Sequence, residues 1–202
     1  MTEILYTYGD KLYINLTNRC PCRCTFCIRS QTDGLGSADS LWLEHDPSAK
    51  EVIAAFSSYD LSQFPEVVFC GYGEPFCALD QLLEVCRYLR SSHKQLKIRV
   101  NTNGLGDLIQ KKETAPLLEG LVDSVSISLN APNAAQYAAV TRPAYGEAAF
   151  DALLHFAVSC KPFVPNVQFT IVDVLPETEI QVCRRLAEKL EIPLRIRHFS
   201  QG

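Results

Sequence analysis

Short runs rich in β-branched residues alternate with longer amphipathic stretches along the chain. This alternation restricts the fold more than any other feature. KLYINLT (11–17), VVFCG (67–71), KIRVNTNG (97–104), SVSISLN (124–130), VQFTIVDV (167–174) and PLRIRHF (193–199) read as strands. SAKEVIAAFSSY (48–59), LDQLLEVCRYLRSS (79–92), GEAAFDALLHFAVSC (146–160) and ETEIQVCRRLAEKL (177–190) read as helices, the first with Asp46 or Ser48 as a cap. Such βα steps need right-handed crossovers, which build a parallel sheet. No repeat or low-complexity linker interrupts them, so residues 1–202 are expected to form one α/β domain.

Composition removes several alternatives. A formal charge of −4 argues against a broad nucleic-acid surface. No run approaches the ~18–20 apolar residues of a membrane helix. MTEILYTYGDKLYINLT lacks a secretory signal's apolar core, so the cytoplasm is the expected compartment. Disulfides are rare there. The nine cysteines are an odd number: Cys20, Cys22, Cys24 and Cys27 cluster, whereas Cys70, Cys77, Cys86, Cys160 and Cys183 are scattered. That pattern is no disulfide framework, and the cluster reads as a metal site or a catalytic thiol site. Cys86, Cys160 and Cys183 fall on helical faces and read as buried apolar residues; Cys70 and Cys77 read as structural too.

Ligand sites in parallel α/β folds lie at the carboxyl ends of strands. The cysteines follow the first strand, GYGEP (71–75) the second, NTNG (101–104) the third and SLNAP (128–132) the fourth. Asp173 lies near the end of the fifth strand, and Arg197 and His198 near the end of the sixth. One shared pocket is the simplest reading. RSQTDGLGSADSLWLEHDP (29–47) fits no period, carries the only tryptophan, Trp42, and reads as an ordered loop or lid.

NRCPCRCTFCIRS (18–30) admits three chemistries. A zinc knot usually takes two separated ligand pairs, and no second pair follows here. A redox dithiol of Cys24 and Cys27 leaves Cys20 and Cys22 unexplained. Three thiolates can instead hold three irons of a cubane and leave the fourth iron without a protein ligand.

CPCRCTFC (20–27) resembles the signature of the radical S-adenosylmethionine (SAM) enzymes. The resemblance implies a partial, six-step (β/α) TIM-like barrel and one [4Fe-4S] cluster on Cys20, Cys24 and Cys27. Cys22 is then not a ligand, SAM chelates the open iron, and Phe26 packs near the adenine. GYGEP resembles the family's GGEP segment, with Gly71, Gly73, Glu74 and Pro75 in place and Tyr72 where a second glycine often stands. Its backbone would receive the SAM ammonium, with the charge of Glu74 nearby. NTNG resembles the third-strand segment and implies a SAM contact at Asn103. SISLNAP resembles the fourth-strand segment and implies contacts at Asn130 and Ser128. YTYGDKLYINLTNRCPCRCTFCIR, the insert DGLGSADSLWLEHDPS and the short length resemble small radical SAM proteins named for association with TatD-family hydrolases.

These resemblances imply reductive cleavage of SAM, a 5′-deoxyadenosyl radical and hydrogen abstraction from a substrate. They also imply a reducing partner such as a flavodoxin or ferredoxin and a functional link to a TatD-family hydrolase. Trp42, Arg142, Arg197 and His198 are the candidate substrate residues, with Arg195 on the same strand face as Arg197. A barrel side left open would suit a peptide or protein. A compact synthase acting on a small molecule or nucleoside, of the deazapurine type, is the alternative within enzymes. A zinc-stabilised α/β binding module is the alternative outside them.

Overall fold

A computed structural model describes residues 3–197, and His198 lies outside the described residues. Seven strands form one sheet in chain order, β1 to β7. β1 (Leu5–Tyr8) and β2 (Lys11–Ile14) make an antiparallel hairpin. Their turn passes through Gly9, whose positive φ of 62° suits a residue without a Cβ. β3 (Glu66–Phe69), β4 (Lys97–Thr102), β5 (Ser124–Ser128), β6 (Asn166–Val172) and β7 (Leu194–Arg197) then follow β2 in parallel. β1 and β7 are both edges, so the barrel is partial, as the family resemblance implies.

The six expected strands are all present, and β2 to β6 end before the expected carboxyl boundary. Of the residues lost, Cys70, Gly71, Asn103 and Asn130 leave the ladder and line a cavity at the strand ends. The hairpin strand β1 is an addition, since no element was expected before Lys11.

α1 (Ala49–Ala55) opens with a capping box between Ser48 and Glu51, and such a cap contributes about 1 kcal/mol. α2 (Leu79–Ser92) has the expected bounds. α3 (Gly106–Gln110) and α4 (Ala134–Thr141) were not expected. α4 is AAQYAAVT, too uniformly small and apolar to show a period, and Asn133 caps it through Gln136 N–H at 3.0 Å. α5 (Ala148–Cys160) and α6 (Glu177–Lys189) lie within two residues of their expected bounds.

Period-two alternation gives the sheet two unlike faces. Leu12, Ile14, Val67, Phe69, Ile98, Val100, Val125, Ile127, Phe169 and Ile171 are buried in one core with α2 and α5. Cys86, Cys160 and Cys183 belong to that core, as expected. The opposite, concave face carries Tyr13, Arg99, Asn101, Ser126, Ser128, Gln168, Thr170, Arg195 and Arg197. Parallel strands covered on both faces read as unbroken apolar runs. Here the alternation marks the concave face as a surface for polar ligands.

Candidate active site

The cysteine loop leaves β2 and docks on the carboxyl end of α4. Arg23 N–H donates to the Thr141 carbonyl at 2.9 Å, and Thr25 N–H donates to Val140 at 2.9 Å. Carbonyls in the last turn of a helix lack partners within it, and this loop supplies them. Arg29 fastens the loop from the other side. Its Nη2 donates to the Cys22 carbonyl at 3.2 Å, and its Nη1 donates to Asn18 at 3.4 Å and Tyr72 at 3.5 Å. Neither α4 nor Arg29 entered the sequence expectations, and the arginine two residues after the last cysteine was the available signal.

Cys20, Cys24 and Cys27 are half-buried and line a cavity of about 280 Å³. Cys22 lines the same cavity but is only 4% exposed and belongs to the core. The Cys22 thiol and N–H, donating to the Cys20 sulfur, lower the Cys20 thiol to about 6, and Arg29 and Asn103 act in the same direction. The Cys22 thiol likewise lowers Cys24. Burial raises Cys27. Cys22 itself is raised by its bonds to Cys20 and Cys24, which makes it the donor to both neighbouring sulfurs. Among the described residues no three His, Cys, Asp or Glu side chains converge on one ion position.

GYGEP crosses the ends of β2 and β4. A Cβ on Gly71 would stand 2.0 Å from Asn15 Oδ1, and one on Gly73 would stand 2.1 Å from the Thr17 carbonyl. Gly73 therefore permits close approach of two backbones, and Gly71 the approach of the Asn15 side chain to its backbone. Pro75 is buried at the start of a 3-10 turn, outside the cavity lining. Glu74 is 3% exposed, and both carboxylate oxygens are engaged. Thr102 Oγ1 donates to Oε1 at 2.6 Å, Phe76 N–H to Oε1 at 3.2 Å and Asn103 N–H to Oε2 at 2.7 Å. Burial, then the nearby Cys20, pushes this carboxyl up to about 8.

The same cavity is lined by Phe26, Gly71, Gly73, Glu74, Asn103, Ser128, Asn130 and Arg197. Asn130 adopts a left-handed φ of 55°, is 6% exposed, and has a buried Oδ1 with no hydrogen-bond partner. An orphaned acceptor in a cavity wall is what a bound ligand with donors would satisfy. The donor set thus fits both groups that the sequence implies: thiolates for a cluster, and a glycine-walled cavity with a free amide oxygen for SAM.

Two other expected residues lie elsewhere. Trp42 is 39% exposed and packs edge-on against Tyr72, and Arg142 caps α4 on the surface; neither lines the cavity. The 29–47 segment is bound to the hairpin. Thr7 N–H donates to Ser37 Oγ at 2.8 Å, Asn15 Nδ2 to the Leu41 carbonyl at 2.7 Å and Asn18 Nδ2 to Leu43 at 2.7 Å. Tyr72 pins it further through a hydrogen bond from its hydroxyl to the Thr32 carbonyl. A hollow of about 520 Å³ at the opposite strand ends, lined by Pro165 and Pro193, contains none of these groups.

Known proteins place this arrangement. The description "Radical SAM superfamily" matches residues 14–186. GTP 3′,8-cyclase of Paenarthrobacter nicotinovorans is 29% identical over 141 residues, which cover 67% of this chain and 36% of that protein. GTP 3′,8-cyclase 2 of Mycobacterium bovis is 30% identical over 141 residues, with the same two coverages. The chain thus spans about a third of the length of these curated relatives. The crystal structure of a radical SAM methyltransferase from Sphaerobacter thermophilus superposes with a TM-score of 0.65 at 18% identity, covering 98% of this chain and 69% of that one. That likeness concerns the fold. With the superfamily match running from β2 into α6, the chain belongs to the radical SAM superfamily, whose members use a [4Fe-4S] cluster and SAM.

Proposed function

We propose that this enzyme cleaves SAM reductively and abstracts a hydrogen atom from a small-molecule substrate held on the concave face of the sheet. The carrying observation is one cavity that joins the four cysteines of the loop, Gly71 to Glu74 and Asn130 with its unpartnered amide oxygen. Cys20, Cys24 and Cys27 would hold the cluster, and Gly71, Gly73, Asn103, Ser128 and Asn130 would surround SAM, with Phe26 beside the adenine. When bound, the cluster supplies the electron that splits the sulfonium C–S bond into methionine and a 5′-deoxyadenosyl radical. The chain's own part is to orient SAM, hold the substrate C–H close and keep water out.

A small molecule is favoured over the peptide suggested by an open barrel side. The curated relatives are cyclases named for a nucleotide, GTP, and a second cavity adjoins the first. We further propose an electron donor of the flavodoxin or ferredoxin type. Arg23 and Arg142 stay exposed beside the cysteine loop, where they suit a negatively charged partner. The motif likeness of residues 6–29 supports a functional link to a TatD-family hydrolase, and the reading of the amino-terminal sequence supports a cytoplasmic location.

The test is anaerobic reconstitution with iron and sulfide, reduction, and addition of SAM. Wild-type protein should carry about four irons per cubane and form 5′-deoxyadenosine. Cys24→Ala should lose the iron–sulfur absorbance and the product together. Colourless protein holding one zinc would overturn the reading.

A further inference from the structure

Beyond the cysteine cavity, the concave face holds a second compartment of about 510 Å³. The two share Ile28, Cys70, Gly71, Tyr72, Asn101 and Arg197, so whatever occupies the second compartment meets SAM at that border. This inference rests on the reading above and concerns the substrate.

One wall is aromatic. β1 and β2 place Tyr6, Tyr8 and Tyr13 on the concave side; Tyr6 and Tyr13 have ring centroids 5.1 Å apart, and Tyr8 and Tyr13 meet edge-on at 5.9 Å. Tyr6 is fixed by its hydroxyl, which donates to the Cys70 carbonyl at 3.2 Å. Tyr8 and Tyr13 leave ring surface accessible. Such faces suit a planar ring.

The opposite wall is cationic. Arg195 and Arg197 are two apart on β7, and Arg99 faces them from β4. Arg99 is paired with Glu66 at 3.0 Å, and Lys11 with Asp10 at 3.1 Å. Among the described residues no carboxylate forms an ion pair with Arg195 or Arg197. A carboxylate ligand would bring only one negative charge to two guanidinium groups. A phosphoryl group has the charge and the acceptor oxygens for both. Two orphaned polar atoms, Arg99 Nε and Asn101 Oδ1, line the same wall, so the occupant must both accept and donate hydrogen bonds. Phosphate alone meets the first need, and a sugar or base edge meets the second.

We propose that this compartment binds the substrate as a nucleoside phosphate, its phosphoryl group on Arg195 and Arg197 and its ring against Tyr8 and Tyr13.

The experiment uses the reconstituted full chain with SAM present and measures equilibrium binding of the four ribonucleoside 5′-monophosphates, their nucleosides, ribose 5-phosphate and benzoate. At least one nucleotide should bind tenfold or more tighter than its nucleoside, than ribose 5-phosphate and than benzoate. Arg195→Gln should remove the preference for nucleotide over nucleoside. Thermal melting reports whether the variant is folded, and the wild-type comparisons stand without it. Equal binding of nucleotide and nucleoside would overturn the phosphoryl site. Ribose 5-phosphate binding as tightly as any nucleotide would overturn the aromatic half, and benzoate doing so would overturn the charge argument. If wild-type protein forms 5′-deoxyadenosine yet binds no nucleotide, this inference fails while the enzyme reading stands. Failure to cleave SAM would remove the enzyme reading itself.

Discussion

The Glu74 carboxylate accepts the Asn103 backbone N–H at 2.7 Å and so ties the segment after β3 to the segment after β4. The two segments proposed to surround SAM are thereby one mechanical unit. The bond that joins them is made by a side chain expected only to contribute charge.

Because burial raises Glu74 from its ordinary 4.5 to about 8, the folded protein holds a proton that the unfolded chain releases. The unfolded state binds fewer protons in that window, so stability falls as pH rises. The stabilising contribution of the neutral acid is full below about pH 4.5 and lost by about pH 8. Urea unfolding of the apoprotein at pH 5, 6, 7 and 8 should show this slope, and Glu74→Gln should flatten it. An unchanged slope would assign the proton to another group.

Gly73 has no room for a side chain, since the obstructing Thr17 carbonyl is backbone and cannot rotate away. Gly73→Ala should destabilise the protein by about 1–3 kcal/mol, the usual cost of overpacking. SAM binding should weaken along with it. A melting temperature within a degree of wild type would count against the close approach.

Asn130 combines a left-handed backbone with an unpartnered amide oxygen. Asn130→Gly keeps that backbone accessible and deletes the amide. SAM affinity should drop about tenfold, the equivalent of 1.4 kcal/mol, with little change in melting temperature. Unaltered affinity, measured by calorimetry on reconstituted protein, would remove Asn130 from the SAM site.

The Tyr72 hydroxyl holds the 29–47 segment at Thr32. Tyr72→Phe keeps the packing against Trp42 and loses the hydrogen bond, at a cost of about 1 kcal/mol. Proteolytic cleavage within residues 29–47 should accelerate, while the domain's unfolding midpoint moves little. Cleavage at the wild-type rate would show that Ser37 and Asn18 suffice to hold the segment.

Strand and helix order, the single α/β sheet and the clustering of chemistry at strand ends were all legible in periodicity and motif. Interior β-branched runs and long amphipathic helices carry that signal locally. The strand β1 was not, because four residues beside a glycine turn carry too little pattern until a partner strand pairs with them. α4 was not, because eight residues, half of them alanine, are too few to reveal a period. Trp42 looked like a lid by its rarity, yet its neighbours bind the hairpin, and Leu35 and Leu41 line the second compartment instead.

Along the chain, side-chain type and spacing determined which segments become strands and which face of each meets the helices, while the choice of Cys20, Cys24 and Cys27 as the thiols for iron came from the family resemblance. What neighbours those thiols was decided only in three dimensions. The carbonyls of α4 receive the cysteine loop, Arg29 reaches back to fasten it, Glu74 bridges two strand ends, and three arginines from β4 and β7 meet across the concave face. Each of these contacts joins groups distant in sequence or depends on a side chain's direction. Local propensity carries no information about such a meeting, which packing of the sheet against its helices fixes.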